Sequence, residues 1–99
     1  MASPNPLTAF AIGRPHPSPS PGRTEIELSL PRAQVVRADI YDVMGRHVRT
    51  VFDGEVGVGR SVLRWDGQVD GGGAAASGVY WMGIRTAGAE RKFKLVVVR

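Results

Sequence analysis

From Thr24 onward, apolar and polar residues alternate with a period of two. Ile26, Leu28 and Leu30 alternate with Glu25, Glu27 and Ser29, which predicts a half-buried strand that Pro31 ends. Val36, Ala38 and Ile40 then share one face, with Arg37, Asp39 and Tyr41 on the other. This second run enters Asp42-Val43-Met44-Gly45, where an Asp side chain can cap a turn and Gly can take the left-handed position that closes it. The return is expected over Arg46 to Phe52, with Val48 pointing inward.

A glycine-rich turn is expected from Asp53 to Gly59, followed by a strand with Ser61, Leu63 and Trp65 on one face. Asp66-Gly67 stops that strand, and Gln68 to Gly78 reads as a loop. Val79 to Thr86 form another strand, with Tyr80, Met82 and Ile84 inward and Trp81 and Arg85 outward. Ala87-Gly88-Ala89 turns the chain. The last strand, Glu90 to Arg99, ends in Leu95-Val96-Val97-Val98, apolar on both faces and so expected to be covered on both. Six or seven short strands with frequent turns and no long helical periodicity predict an all-β, antiparallel β-sandwich, a barrel being the alternative.

Composition divides the chain in two. All seven prolines lie within the first 31 residues, whereas eleven of the thirteen glycines follow them. Residues 1–22 therefore read as a proline-rich leader and 23–99 as the folded domain. Within the leader, Pro15 to Pro21 favour extended backbone and a semi-rigid linker. With 99 residues the chain makes one domain, and it has no apolar run of the roughly 20 residues that a helical membrane span needs.

The net charge is +4, carried by eleven arginines and two lysines. These charges alternate with Asp and Glu rather than clustering, as on solvated strand faces, which argues against nucleic acid; were the charge to serve a partner, an anionic surface polysaccharide is the best matched. The absence of cysteine excludes a disulfide framework. The N-terminus lacks the charged and apolar regions of a signal peptide. A cytoplasmic protein, or the end of a longer exported one, fits equally.

Catalytic and cofactor chemistry find little support. His16 sits among prolines and His47 just past a turn, where an exposed side chain is expected, and no Gly-x-Ser-x-Gly elbow is present. Gly71-Gly72-Gly73-Ala74-Ala75-Ala76 formally matches a dinucleotide fingerprint but lacks the strand-to-helix setting that gives the motif its meaning. Asp66 and Asp70 could offer oxygen ligands to calcium, although their spacing fits no EF-hand and Asp66 suits a turn. No cofactor or metal is expected. Trp65 falls on the core side by parity. Trp81 falls outside, free to meet protein or a glycan.

Ser29-Leu30-Pro31, Ile40-Tyr41-Asp42-Val43-Met44-Gly45-Arg46, Trp65-Asp66-Gly67, Ser77-Gly78-Val79-Tyr80 and Lys94-Leu95-Val96-Val97-Val98-Arg99 follow one another in that order. This ordered set, over roughly residues 15–99, resembles the C-terminal sorting domain of the type IX secretion system and the related Ig-like domain of the flagellar hook-capping protein. Two departures are visible. Pro15 to Pro21 lack the asparagine of the usual Pro-Asn-Pro, and Val69 with Asp70 stands where an acidic residue often follows Trp-Asp-Gly.

The resemblance implies an Ig-like sandwich and a non-catalytic sorting or anchoring module at the C-terminus of a larger secreted bacterial protein. Its upstream partner would be the cargo, its receptor the outer-membrane export machinery, and its destination the cell surface by way of the periplasm. Asp42, Gly45, Arg46, Trp65, Asp66, Gly67, Ser77, Gly78 and Tyr80 would carry the family motif, and Trp81 with Lys94, Leu95, Val96, Val97 and Val98 would be candidates for recognition. An Ig-like module packing against its parent enzyme or another subunit is the alternative, and a carbohydrate-binding module the third.

Overall fold

The computed structural model describes residues 10–99; Pro4, Pro6 and the rest of the leader's first nine residues lie outside them. Seven strands are found among the described residues: β1 (Ala11–Ile12), β2 (Thr24–Leu30), β3 (Gln34–Asp42), β4 (His47–Val56), β5 (Gly59–Trp65), β6 (Gly78–Arg85) and β7 (Glu90–Val97). They form two antiparallel sheets, ordered β1-β2-β5 and β4-β3-β6-β7. The fold is the all-β sandwich that the alternation predicts, open at its edges rather than closed into a barrel.

Between the sheets, Ile26, Leu30 and Trp65 from one side meet Val36, Ile40, Met82, Ile84, Leu95 and Val97 from the other, each at most 1% exposed. Burying one such side chain contributes about 1.5–3 kcal/mol. Trp65 also meets Tyr80 edge-on, with ring centroids 6.1 Å apart, and donates its indole N–H to the Gln68 carbonyl at 2.8 Å. That bond satisfies the ring's polar atom inside the core.

Four expectations are revised. First, β4 continues through Asp53, Gly54 and Glu55, because β3 is long enough to pair with it from Gln34↔Val56 onward, leaving Gly57-Val58 as the turn. Second, the β3–β4 register shifts twice, at Ala38/Asp39 and Ile40/Tyr41, with Val51 and Val48 as the unmatched residues on β4. A bulge resets side-chain alternation, so Val48 is only half-buried and Val56 is the buried residue of β4.

Third, the expected spacer from Pro15 to Pro21 lies against the sandwich. His16 and Glu25 exchange two backbone hydrogen bonds of 2.9 Å, and Ser20 forms a parallel bridge to β7 through Val96 O and Val98 N. Proline has no N–H to donate, so pairing runs through the residues between the prolines. Ser20 is 1% exposed, and its hydroxyl accepts from Gly22 N at 3.0 Å and meets Thr24 Oγ1 at 2.9 Å.

Fourth, the C-terminal apolar run is covered on one face only. Leu95 and Val97 fill the core, Val96 is half-buried on the opposite face, and Val98, beyond the strand, is 56% exposed. Parity alone separates them.

Candidate functional site

Three of the sequence blocks converge at one end of the sandwich. Gly67 follows Trp65-Asp66 with φ +81°, and a Cβ there would lie 2.8 Å from the Gly22 carbonyl carbon. The backbone of the leader's end therefore needs a glycine opposite it. The Gly67 carbonyl accepts from Ala75 N at 2.8 Å and from Arg99 Nη2 at 2.9 Å. Arg99 also donates to the Ala75 carbonyl through Nε, and its backbone N–H bonds Ser77 Oγ at 2.9 Å. One terminal arginine thus ties the 67–77 loop to the end of the chain.

Tyr80, near the start of β6, donates its hydroxyl to the Ala76 carbonyl at 2.7 Å, four residues upstream. This is the tyrosine-corner arrangement of Ig-type sandwiches. Trp65, Gly67, Ser77 and Tyr80 have structural roles here. Gly78 opens β6 with φ +157°.

At the β3–β4 hairpin, Asp42 Oδ1 accepts from Met44 N at 2.9 Å and Arg46 N at 3.0 Å, while Oδ2 receives Arg46 Nε at 2.9 Å. The bond from the Arg46 backbone, reinforced by its side chain and the Met44 amide, holds the Asp42 carboxyl below its ordinary value against the smaller opposing effect of desolvation. Gly45, at φ +84°, closes the turn. Val43 and Met44 at its tip are 68% and 76% exposed.

The outer face of the four-stranded sheet brings together residues that the sequence scatters. Register places Tyr41 beside His47 on β4 and beside Trp81 on β6, and Trp81 beside Lys94 on β7. The next row holds Thr50, Asp39, Gly83 and Lys92; the row beyond it holds Asp53, Arg37, Arg85 and Glu90. Trp81 is 39% exposed, on the outward side that parity predicts. Of the candidate recognition residues, only Trp81, Lys94 and Val96 share this face; Leu95 and Val97 are core.

His47 is exposed, as expected, whereas Asp39 on the same outer face is buried. Asp39 is 6% exposed and receives Arg37 Nε at 2.9 Å and Thr50 Oγ1 at 3.0 Å, with His47 Nε2 at 2.7 Å. Burial by itself works to raise its pKa, but the bonds from Arg37, His47 and Thr50 together outweigh it, and the carboxyl is held below the ordinary value. The bulges in β4 create this cluster by turning His47 and Thr50 onto the same side, a feature that simple alternation does not reveal.

The trio of threonine, histidine and aspartate is not a nucleophilic relay. Thr50 and Asp39 both approach the same ring nitrogen, Nε2, so the imidazole does not stand between them. Asp66 and Asp70 do not form a cation cage. Asp66 Oδ1 accepts from Gln68 N at 3.0 Å, and both carboxylates face Arg49, at 3.6 and 3.9 Å. The positive charge they would need from a metal is already supplied by the arginine.

The family model for the FlgD Ig-like domain matches residues 18–90. The chain belongs to the FlgD Ig-like domain family. This match begins inside the proline-rich stretch, close to the Ser20 bridge. The domain is also similar to the crystal structure of dimeric latent PorU from Porphyromonas gingivalis, with a TM-score of 0.69 and 18% identity. The similarity covers 95% of this chain and 10% of the PorU chain, so the domain spans about a tenth of that protein's length. At this identity the likeness shows the fold. A search of curated proteins found no match.

The FlgD Ig-like domain family is one of non-catalytic modules, and membership suggests a part in protein interaction. No helix among the described residues is long and apolar enough to cross a membrane.

Proposed function

We propose that this FlgD-type Ig-like domain is a sorting or anchoring module of a larger exported bacterial protein, recognised as a folded unit by outer-membrane type IX export machinery. The supporting observation is the way the terminal segment is built in. Leu95 and Val97 complete the core, and Arg99 joins the end of the chain to Gly67 and Ala75. On this reading the address is the folded surface itself, and it would carry its cargo through the periplasm to the cell surface. Val96, Val98 and Lys94 are the parts of that segment left for a receptor.

Removing Lys94–Arg99 would take out core residues and test folding rather than recognition. The appropriate test joins residues 1–99 to the C-terminus of a signal-peptide-bearing reporter in a bacterium with type IX machinery. Surface display of the reporter is expected, and loss of display on Val98→Lys with the fold retained would locate the receptor contact. Periplasmic retention of the folded fusion overturns the reading.

A second reading, an Ig-like module packed against its own parent or another subunit, is favoured by the apolar hairpin tip. Val43 and Met44 project where no core can use them. Val43→Ser with Met44→Ser would then release the domain from its parent while leaving export unaffected.

A further inference from the structure

The outer sheet face has a hollow at Gly83. In register, Gly83 lies between Asp39 on β3 and Lys92 on β7, and its same-face neighbours on β6 are Trp81 and Arg85. These two are four residues apart, about 13 Å along a strand, and Gly83 between them has no side chain. The resulting groove has a volume of about 450 Å³ and is walled by Tyr41 and Trp81, within the range of roughly 300–1,000 Å³ for small-molecule sites.

Its charge is unevenly used. Arg37 is held by Asp39 and Asp53, and Arg85 by Glu90. Lys92 and Lys94 make no ion pair among the described residues, and both project from β7 onto this face. A half-exposed indole, a floor without a side chain and the uncommitted Lys92 thus line one groove, with Lys94 next to Trp81 in register.

We propose that this hollow binds acidic pyranose units of a polysaccharide. The apolar C–H face of the ring stacks on Trp81 above Gly83, and the sugar carboxylate turns toward Lys92. Hydroxyls at the ring's edge find an acceptor in Glu90, half-exposed at the groove's rim. An extended peptide running along β6 would have to climb over Trp81 and Arg85, whereas a ring-sized group fits between them. This binding is separate from the docking to export machinery proposed above and does not depend on it.

The test titrates the whole chain with alginate oligomers, neutral cello-oligomers and poly-L-glutamate, following tryptophan emission. Trp65 is 1% exposed and supplies a steady background, so a shift reports on Trp81. Alginate should give a saturable shift and the neutral oligomers none. Gly83→Val should abolish it without unfolding the sheet, because the added Cβ meets only Tyr41 Cε2 at 3.5 Å, an ordinary contact. Lys92→Gln should weaken binding about tenfold, the worth of one charge-assisted contact.

Absence of alginate binding overturns the proposal, as does unchanged affinity in Gly83→Val or Lys92→Gln. Equal binding of the neutral oligomers refutes the charge requirement. Equal, Gly83-dependent binding of poly-L-glutamate would make the groove an acidic-peptide site instead.

Discussion

Replacing Asp39 with Asn keeps the side chain's shape and removes its charge. Asp39 accepts three side-chain contacts, from Arg37, Thr50 and His47, while being 6% exposed. With its oxygen kept on Arg37, the amide turns its NH2 to Thr50 and His47, which must accept where they donated, and all three contacts lose the carboxylate's charge. Hydrogen bonds to charged groups are worth about 1.5–3 kcal/mol and neutral ones about 0.5–1.5, and the site's closeness to solvent puts the loss at about 1–2 kcal/mol. For a domain of this size that is a fall in Tm of roughly 5–15 °C. Urea unfolding followed by the emission of Trp65 measures it directly.

The pH dependence supplies the sharper test. The folded-state pKa of Asp39 lies below its unfolded value, so its contribution is fully present above the unfolded value, about 4, and disappears as pH falls through the folded one. The stability gap between the native protein and Asp39→Asn should therefore be constant near neutrality and shrink only once the pH falls below the ordinary carboxylate value, about 4. A variant as stable as the native protein at pH 7 would refute the hydrogen-bond argument. A gap that already shrinks above the ordinary carboxylate value, or that never shrinks as acid is added, would refute the linkage.

Other outcomes follow from the same geometry. Gly71→Ala, at φ +87° with nothing near its added Cβ, should cost about 1–2 kcal/mol from backbone strain alone. Gly67→Ala should cost more, because its Cβ also collides with Gly22; equal losses by chemical denaturation would contradict that close approach. Tyr80→Phe should lose about 1 kcal/mol, since only the bond to the Ala76 carbonyl goes; an unchanged denaturation midpoint would remove the tyrosine corner from the account of stability. Trp65→Ala should cost about 3–5 kcal/mol and Trp81→Ala far less, because one is buried and the other outward; comparable losses would contradict the assigned faces. Deleting residues 1–22 should broaden thermal unfolding by exposing the edges at Glu25 and Val96, whereas an undisturbed transition would mean that the proline-rich stretch adds no stability.

Much of the fold is legible from alternation. Ile26, Leu28, Leu30, Val36, Ala38, Ile40, Tyr80, Met82 and Ile84 all face the core as parity requires, because a strand has only two faces and one is turned from water. The Asp42–Gly45 turn is equally local, since a carboxylate capping neighbouring amides and a left-handed glycine are properties of four adjacent residues. Parity fails in β4, where two bulges decide the orientation of His47 and Thr50, and where only the partner strand shows that two residues go unmatched.

Sequence alone therefore determined the strand-rich class, the outward Trp81, the inward Trp65 and the order of motifs that marks the family. Tertiary structure decided which distant residues meet. It placed Pro15 to Pro21 against the sheets through Ser20 and His16, gathered Tyr41, Trp81, Gly83 and Lys92 on one face, and closed the 67–77 loop with Arg99. The division has a physical cause. A side chain's face follows from its own strand, but a hydrogen bond between Ser20 and Val96 or a hollow at Gly83 depends on the register of strands far apart in the chain, which no local pattern encodes.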